Sequence, residues 1–358
     1  MVTRDDVARR AGTSPAVVSY VVNDGPRPVA AATRARVEAA MVELGYRPNL
    51  VARALRSARS RTIGLVVPDS TEAFFTELVH AVERAAHAEG VLVLLGNSGF
   101  SRRQEQRYVQ ALAGMQVDGL LLVQAEVADP VPPLDLPGVP LVYLNHRAPR
   151  GVAAPSVVLA NRRGGGLAAE HLLAHGHRRI GCLTGDARSG PVADRARGCA
   201  AALHRAGLEP GAVLRTGLDR HTTRAQVRDW LAGPDRPEAV VATADGLAVD
   251  VLSVAQELWI RVPDDLAVTG FGATAAGAHT WPPLSTVGHP LEDVGRAAVA
   301  TLAAVRQGAE PVPDRVLDVA FVARRSCGCR PRPDERHIRR LGSDESAVRS
   351  SGGANGQR

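Results

Sequence analysis

In the first fifty residues the apolar positions fall at helical spacing in three short runs. Val7, Ala8 and Ala11 share one face, and Val18, Val21 and Val22 a second; Val37, Ala40, Met41 and Leu44 follow i, i+3, i+4, i+7 on a third. The polar residues between them read as punctuation. Thr3 with Asp6 three positions later forms a capping box, and the acidic pair Asp5-Asp6 suits the positive start of a helix. Gly12 supplies a left-handed stop, Ser14 a second cap, and Pro15 a first-turn residue whose missing N–H costs nothing. Two helices around a glycine turn, with Pro15, Ala16, Ser19, Tyr20 and Asn23 outside, have the form of a helix-turn-helix reader of DNA. Any small helical hairpin would share that pattern.

From Thr62 the texture changes to short continuous apolar runs, the pattern of parallel strands buried on both faces. Strands are predicted over 63–68, 91–96, 117–123, 140–145, 180–184, 239–243, 266–271 and 315–323. Helices are predicted over 75–89, 104–116, 163–175, 195–206, 224–232, 246–258 and 291–307. Alternation over such a length predicts an α/β fold with parallel sheets, in two lobes around a cleft where a ligand would sit. The predicted domains are a helix-turn-helix head over 1–46, a short helix and linker over 47–61 capped by Asn49, and a two-lobed core over 62–328. An Arg-, Pro-, Ser- and Gly-rich tail over 329–358 is read as disordered and basic.

Composition narrows the chemistry. All 43 basic residues of the 358 are arginine. That excludes the lysine of a standard phosphate-binding loop and any lysine Schiff base, but not phosphate contacts, which arginine makes well. Residues 1–60 hold ten arginines against five carboxylates, and 330–358 seven against four, leaving the middle slightly acidic. A basic head on such a body suits a polyanionic partner at one end. The chain opens on charged, helix-capping residues and holds no apolar run near the roughly 20 residues a bilayer requires, so a cytoplasmic protein without a signal peptide or membrane span is expected. Four cysteines in so long a chain form no disulfide framework. His171 and His175 have the i, i+4 spacing of a metal pair, but the neighbouring Glu170 faces elsewhere, and Cys327-Gly328-Cys329 has no second thiol pair in sequence. Gly164-Gly165-Gly166 lacks the dinucleotide fingerprint. No catalytic site, metal or cofactor is expected.

The segments DDVARRAGTS, VVSYVVN, TRARVEAAMVELGYRPNLVARALRS, TIGLVVPD, VDGLLLV, EHLLAHGHRRIG, PDRPEAVVATAD, VPDDLAVTGF and PPLSTV occur in that order. Together they resemble the lactose-repressor/galactose-repressor (LacI/GalR) family of bacterial transcription regulators, over residues 2–328. The resemblance implies an N-terminal three-helix helix-turn-helix head plus hinge helix, followed by a periplasmic-binding-protein-like core. It implies a homodimeric repressor on a near-palindromic double-stranded operator, with a small-molecule effector, most often a sugar, in the core cleft. No terminal leucine heptads extend the dimer to a tetramer. A solute-binding or signalling module with a vestigial head is the competing reading.

Residue by residue, Pro15, Ala16 and Tyr20 match base-reading positions, and Val17 beside them could meet a thymine methyl. Thr3, Ser14, Ser19 and Asn23 match backbone-contacting positions, and Arg27 in the following loop joins the DNA-binding set. In the hinge, Asn49 caps, Leu55 stands where the family uses a minor-groove wedge, and Ala52 packs beside it. Phe74, Phe75, Arg195 and Asp245 match effector positions. Four departures matter. Tyr20 replaces the usual Arg or His, so the operator should be read through apolar contacts and bending. Ala30 stands where a serine usually caps the third helix. Ala160 stands where an acidic residue often precedes the asparagine. Gly272 stands where an aspartate usually anchors ligand hydroxyls, which implies an atypical effector or a weakened response, and an expectation that aspartate there would restore one.

Overall fold

The computed structural model describes residues 2–23, 25, 27–47, 59–124, 136, 138–209, 212–217, 219–309 and 311–329. The expectations for Asn49, Ala52 and Leu55, and for the tail beyond Cys329, lie outside the described residues. The chain divides into two compact units, 1–60 and 61–358.

The first unit holds α1 (Arg4–Ala11), α2 (Pro15–Asn23) and α3 (Ala31–Leu44). The capping box forms: the Thr3 hydroxyl accepts from the Asp6 N–H at 3.3 Å, and the Thr3 N–H donates to the Asp6 carboxylate at 2.9 Å. Gly12 and Gly45 end α1 and α3 at φ 62° and 61°, a left-handed turn that glycine makes without Cβ strain. Val7, Ala8, Ala11, Val18, Val21, Val37 and Ala40 bury together, with Val22, Met41, Leu44 and Tyr46 around them. Ala30 leaves α3 without a side-chain cap. Ala30→Ser is therefore expected to stabilise the head by about 1 kcal/mol. Amide hydrogen exchange in α3 should slow accordingly, and unchanged exchange would refute the missing cap.

The second unit is built on two six-stranded sheets. The first has the order β11-β5-β4-β3-β1-β2, from β1 (Thr62–Val67), β2 (Leu92–Asn97), β3 (Leu120–Val123), β4 (Leu141–Leu144), β5 (Ser156–Leu159) and β11 (Arg315–Leu317). Every neighbour pair in it is parallel. The second has the order β12-β10-β9-β8-β6-β7, from β6 (Ile180–Gly185), β7 (Val213–Thr216), β8 (Ala239–Ala242), β9 (Ala267–Phe271), β10 (Ser285–Gly288) and β12 (Ala320–Val322). Here β12 alone runs antiparallel, against β10. The helices are α4 (Ala73–Ala88), α5 (Arg102–Gly114), α6 (Asn161–Ala174), α7 (Pro191–Arg205), α8 (Arg220–Ala232), α9 (Asp245–Glu257), α10 (Ala275–Ala278) and α11 (Leu291–Arg306). The central strands β3, β4, β8 and β9 are buried at every residue, as apolar runs covered on both faces must be.

The two-lobed α/β expectation holds, with corrections in detail. The strand predicted over 315–323 is two strands, β11 completing the first sheet and β12 the second. Asp318 and Val319 carry the chain across, Asp318 ion-paired to Arg163 and Val319 buried. Extended periodicity marks such a segment as strand but not the sheet on which each half lies. β5, β7 and β10 lie outside the strands predicted from the sequence.

The three-glycine run opens α6, and its purpose is helix packing. A Cβ on Gly165 would lie 1.9 Å from the Arg195 carbonyl oxygen, and one on Gly198 would lie 1.9 Å from that of Arg162. α6 and α7 thus touch backbone to backbone, which places Arg195.

Candidate functional site

In the head, α2 buries Val18 and Val21 and turns Pro15 and Ala16 fully outward, with Val17, Ser19 and Tyr20 half-exposed. The Ser14 hydroxyl accepts from the Val17 N–H at 3.3 Å, fixing the first turn. The Asn23 amide donates to the Ser19 carbonyl at 2.9 Å and to its hydroxyl at 3.2 Å. The Tyr20 ring rests on Gly25: a Cβ there would lie 2.4 Å from the ring, and the Gly25 N–H donates to the Tyr20 carbonyl at 3.1 Å. Thr3, Ser14, Asn23 and Arg27 are exposed. The result is a rigid, shallow face presenting a proline, two small apolar side chains and one phenol. It can read groove shape and methyl groups, and only Tyr20 among its base-reading candidates carries a side-chain hydrogen-bonding group.

In the core, the cleft residues sit beyond the carboxyl ends of parallel strands, where open α/β sheets place ligands. Phe74 and Phe75 open α4 after β1, His146 follows β4, Asn161 opens α6 after β5, and Arg195 lies in the first turns of α7 after β6. Asp245 starts α9 after β8, and Phe271 ends β9. Phe74 and Phe75 meet edge to face, ring centres 5.4 Å apart, and pack on the apolar cluster that contains Phe271.

Arg195 is buried and clamped. Its Nε donates to the Asn161 side-chain oxygen at 2.8 Å, one terminal nitrogen donates to the Thr243 carbonyl at 2.9 Å, and the guanidinium lies 3.8 Å above the Phe271 ring. Such stacking orients the planar fork. His146, also buried, is held neutral: burial, then the charges of Arg195 and Arg102, lower its pKa to about 3. Asp245 spends its carboxylate locally. One oxygen accepts from the Thr274 N–H at 2.8 Å and hydroxyl at 2.9 Å; the other accepts from the Thr286 hydroxyl at 2.6 Å. Three donors leave roughly one acceptor position of the carboxylate.

Two glutamates of the first lobe reach the second. The Glu77 carboxylate accepts from the Ala275 N–H at 2.8 Å. Glu72 lies where a Cβ on Gly246 would come within 3.3 Å of its oxygen. Burial raises both carboxyls above the ordinary range, against the opposing pull of Arg220 on Glu72 and of the Ala275 hydrogen bond on Glu77.

Gly272 has φ 141°, a backbone favourable only to glycine, and a Cβ there would stand 3.3 Å from the Asp245 oxygen. Gly272→Asp is therefore expected to destabilise the core by about 1–3 kcal/mol through strain alone, with like-charge repulsion added. Chemical denaturation followed by tryptophan fluorescence measures this, and an unchanged midpoint would show the loop relaxing freely.

Among the site residues predicted from sequence, the structure gathers Arg195 with Asn161, Thr243 and Phe271, and ties Asp245 to the Gly272 loop. His146 and the clamp on Arg195 were invisible to sequence reasoning, since Asn161 and Arg195 are 34 positions apart; their only signal is a position just after a strand. A second gathering, more distant still, brings His171, His175, Cys327 and Cys329 together on the second lobe.

Residues 3–49 match the pattern described as bacterial regulatory proteins, lacI family, and 169–327 match a periplasmic binding protein-like domain. The ribose operon repressor of Escherichia coli (strain K12) is 35% identical over 306 residues, covering 84% of this chain and 92% of that protein. The transcriptional repressor PurR of Photobacterium profundum is 31% identical over 308 residues, covering 84% of this chain and 91% of its own. The Lac repressor dimer bound to operator and the anti-inducer ONPF superposes with a TM-score of 0.78 at 28% identity, over 91% of this chain and 99% of that one. The regulator CelR in complex with cellobiose gives 0.67 at 32% identity, over 91% and 100%. No described helix is long and apolar enough to cross a membrane.

Proposed function

This chain belongs to the LacI family of bacterial regulatory proteins, and on that premise we propose that it is a homodimeric repressor of a near-palindromic operator, answering to a small polar effector in its core cleft. The observation that carries the reading is the intact reading face of α2. Ser14 caps it, Gly12 ends the helix before it, and Val18 and Val21 are buried, so it presents Pro15, Ala16, Val17 and Tyr20 outward. Thr3, Ser14, Ser19, Asn23 and Arg27 are assigned to phosphate and sugar contacts, which set register without reading sequence. Operator selectivity rests on apolar contact, Tyr20 and duplex deformability.

In the cleft, Phe74 and Phe75 offer an apolar wall and Arg195 the fixed donor, with Asp245 contributing its remaining acceptor position. One arginine and one carboxylate beside an aromatic wall suit a small polar effector with an apolar face. Dimerisation through the core is supported by β2, an edge strand whose Leu92, Leu94 and Leu95 are all exposed. Unpaired apolar edges of that kind are ordinarily covered by a partner.

Mobility-shift assays on duplexes selected from genomic DNA test the reading. Specific, salt-sensitive binding by the full chain, lost on Tyr20→Ala, is expected. Absence of any specific duplex, or full biological activity after deleting residues 1–60, would instead favour a solute-binding module with a vestigial head.

A further inference from the structure

We propose that the second lobe carries a tetrahedral metal site for a soft divalent ion of the zinc type, ligated by His171, His175, Cys327 and Cys329. The ligand pairs are more than 150 positions apart in sequence, and the fold brings their donor atoms within 4.8 Å of one another. His171 Nε2 lies 3.2 Å from Cys327 Sγ and 3.4 Å from Cys329 Sγ, and His175 Nε2 lies 3.4 Å from Cys329 Sγ. Zinc–nitrogen and zinc–sulfur bond lengths give a tetrahedron whose edges are about 3.4–3.8 Å. The four donors already stand near the corners of such a figure.

Each element contributes for a local reason. His171 in the last turn of α6 and His175 at its C-cap share one face at i, i+4. Gly328, at φ 91°, turns the chain so that both flanking thiols meet that helix end, and a Cβ there would lie 3.6 Å from His175 Nδ1. The His171 ring stacks on Phe321 of β12, centres 3.9 Å apart, which fixes its orientation. Cys327 is fully buried while His175 is exposed, so the site has a solvent-side entrance and a dry floor.

The surroundings suit a thiolate. The Ser285 hydroxyl oxygen accepts from the Arg324 N–H at 2.8 Å, which directs its own proton to Cys327 Sγ at 3.0 Å. A donor aimed at a sulfur ligand is the outer-shell support expected of a metal centre. Glu170, the nearest carboxylate in sequence, is engaged with Arg205 and leaves the ligand set as two imidazoles and two thiols. Such a set selects zinc or cobalt over magnesium or calcium, and four protein ligands make the site structural. Loading releases the two thiol protons and joins the segment after β12 to the end of α6. The opposite end of α6 supplies Asn161 to Arg195.

The test uses the full chain, purified under reductant, stripped with a chelator and titrated with Co(II). The remaining cysteines, Cys182 and Cys199, are buried, with Cys199 hydrogen-bonded to Cys182, so sulfur-to-metal bands report on Cys327 and Cys329. Tetrahedral d–d bands with thiolate charge transfer should saturate at one equivalent and be displaced by Zn(II). Cys329→Ser and His175→Ala, both at accessible positions, should weaken binding by more than about 100-fold, and Ser285→Ala by about 10-fold. Circular dichroism confirms that each variant is folded. Three results would each overturn the assignment: absence of the bands, affinity unchanged in both accessible variants, or a Cys327–Cys329 disulfide in protein isolated anaerobically.

Discussion

Gly198→Ala should cost the core about 3 kcal/mol, and Gly165→Ala a similar amount, while Gly166→Ala on the same helix should be neutral or slightly stabilising. The three positions look equivalent in sequence; the contact geometry separates them. Added methyls at 165 and 198 would collide with backbone carbonyls at 1.9 Å, and backbone cannot rotate aside as a side chain can. At Gly166 the nearest atom to an added Cβ is 3.6 Å away, ordinary contact, so only the helix propensity gain remains. Parting α6 from α7 also moves Arg195 away from Asn161, so the destabilised variants should lose effector response out of proportion to their stability. All three tryptophans lie in the second unit, which makes urea unfolding by fluorescence a measurement of the core alone. Equal midpoints for Gly166→Ala and Gly198→Ala would remove the close-packing explanation.

Sequence reasoning succeeded where one local rule decides the structure. The Thr3 box, the Gly12 and Gly45 stops and the buried stripe of α2 are all properties of residues within four positions of each other. It faltered where two partners compete for the same pattern. The extended run over 315–323 satisfies either sheet, and only the crossover at Asp318–Val319 assigns each half. The glycine run of α6 had no legible role, because the carbonyl it accommodates belongs to a helix some 30 residues later. The histidine and cysteine pairs each looked insufficient for a metal for the same reason. Gly272 shows a different limit: a missing aspartate was legible as a missing anchor, but not the left-handed backbone that would resist restoring it.

Acid should destabilise the core through His146. A buried imidazole whose folded-state pKa is about 3 takes up its proton more readily when unfolded, where its value is near the ordinary 6.5. Below the ordinary value the unfolded state therefore binds more protons, and stability falls as pH drops, by about 1.4 kcal/mol per unit. Between pH 6.5 and pH 4 the expected loss is about 3 kcal/mol, a large part of a domain's usual margin. The half-buried Glu72 and Glu77 act in the opposite sense. Their raised pKa values favour the protonated, folded form, so their contribution is present at low pH and fades as pH rises through those values. Because the two effects have opposite signs, a variant that lacks only the histidine separates them. His146→Asn removes the titrating group and keeps a polar side chain of similar reach. Its urea midpoint should change far less between pH 6.5 and pH 5 than that of the parent chain. Parallel pH profiles for the two proteins would show that the Arg195 side of the cleft holds no buried neutral histidine, and that acid acts on the core elsewhere.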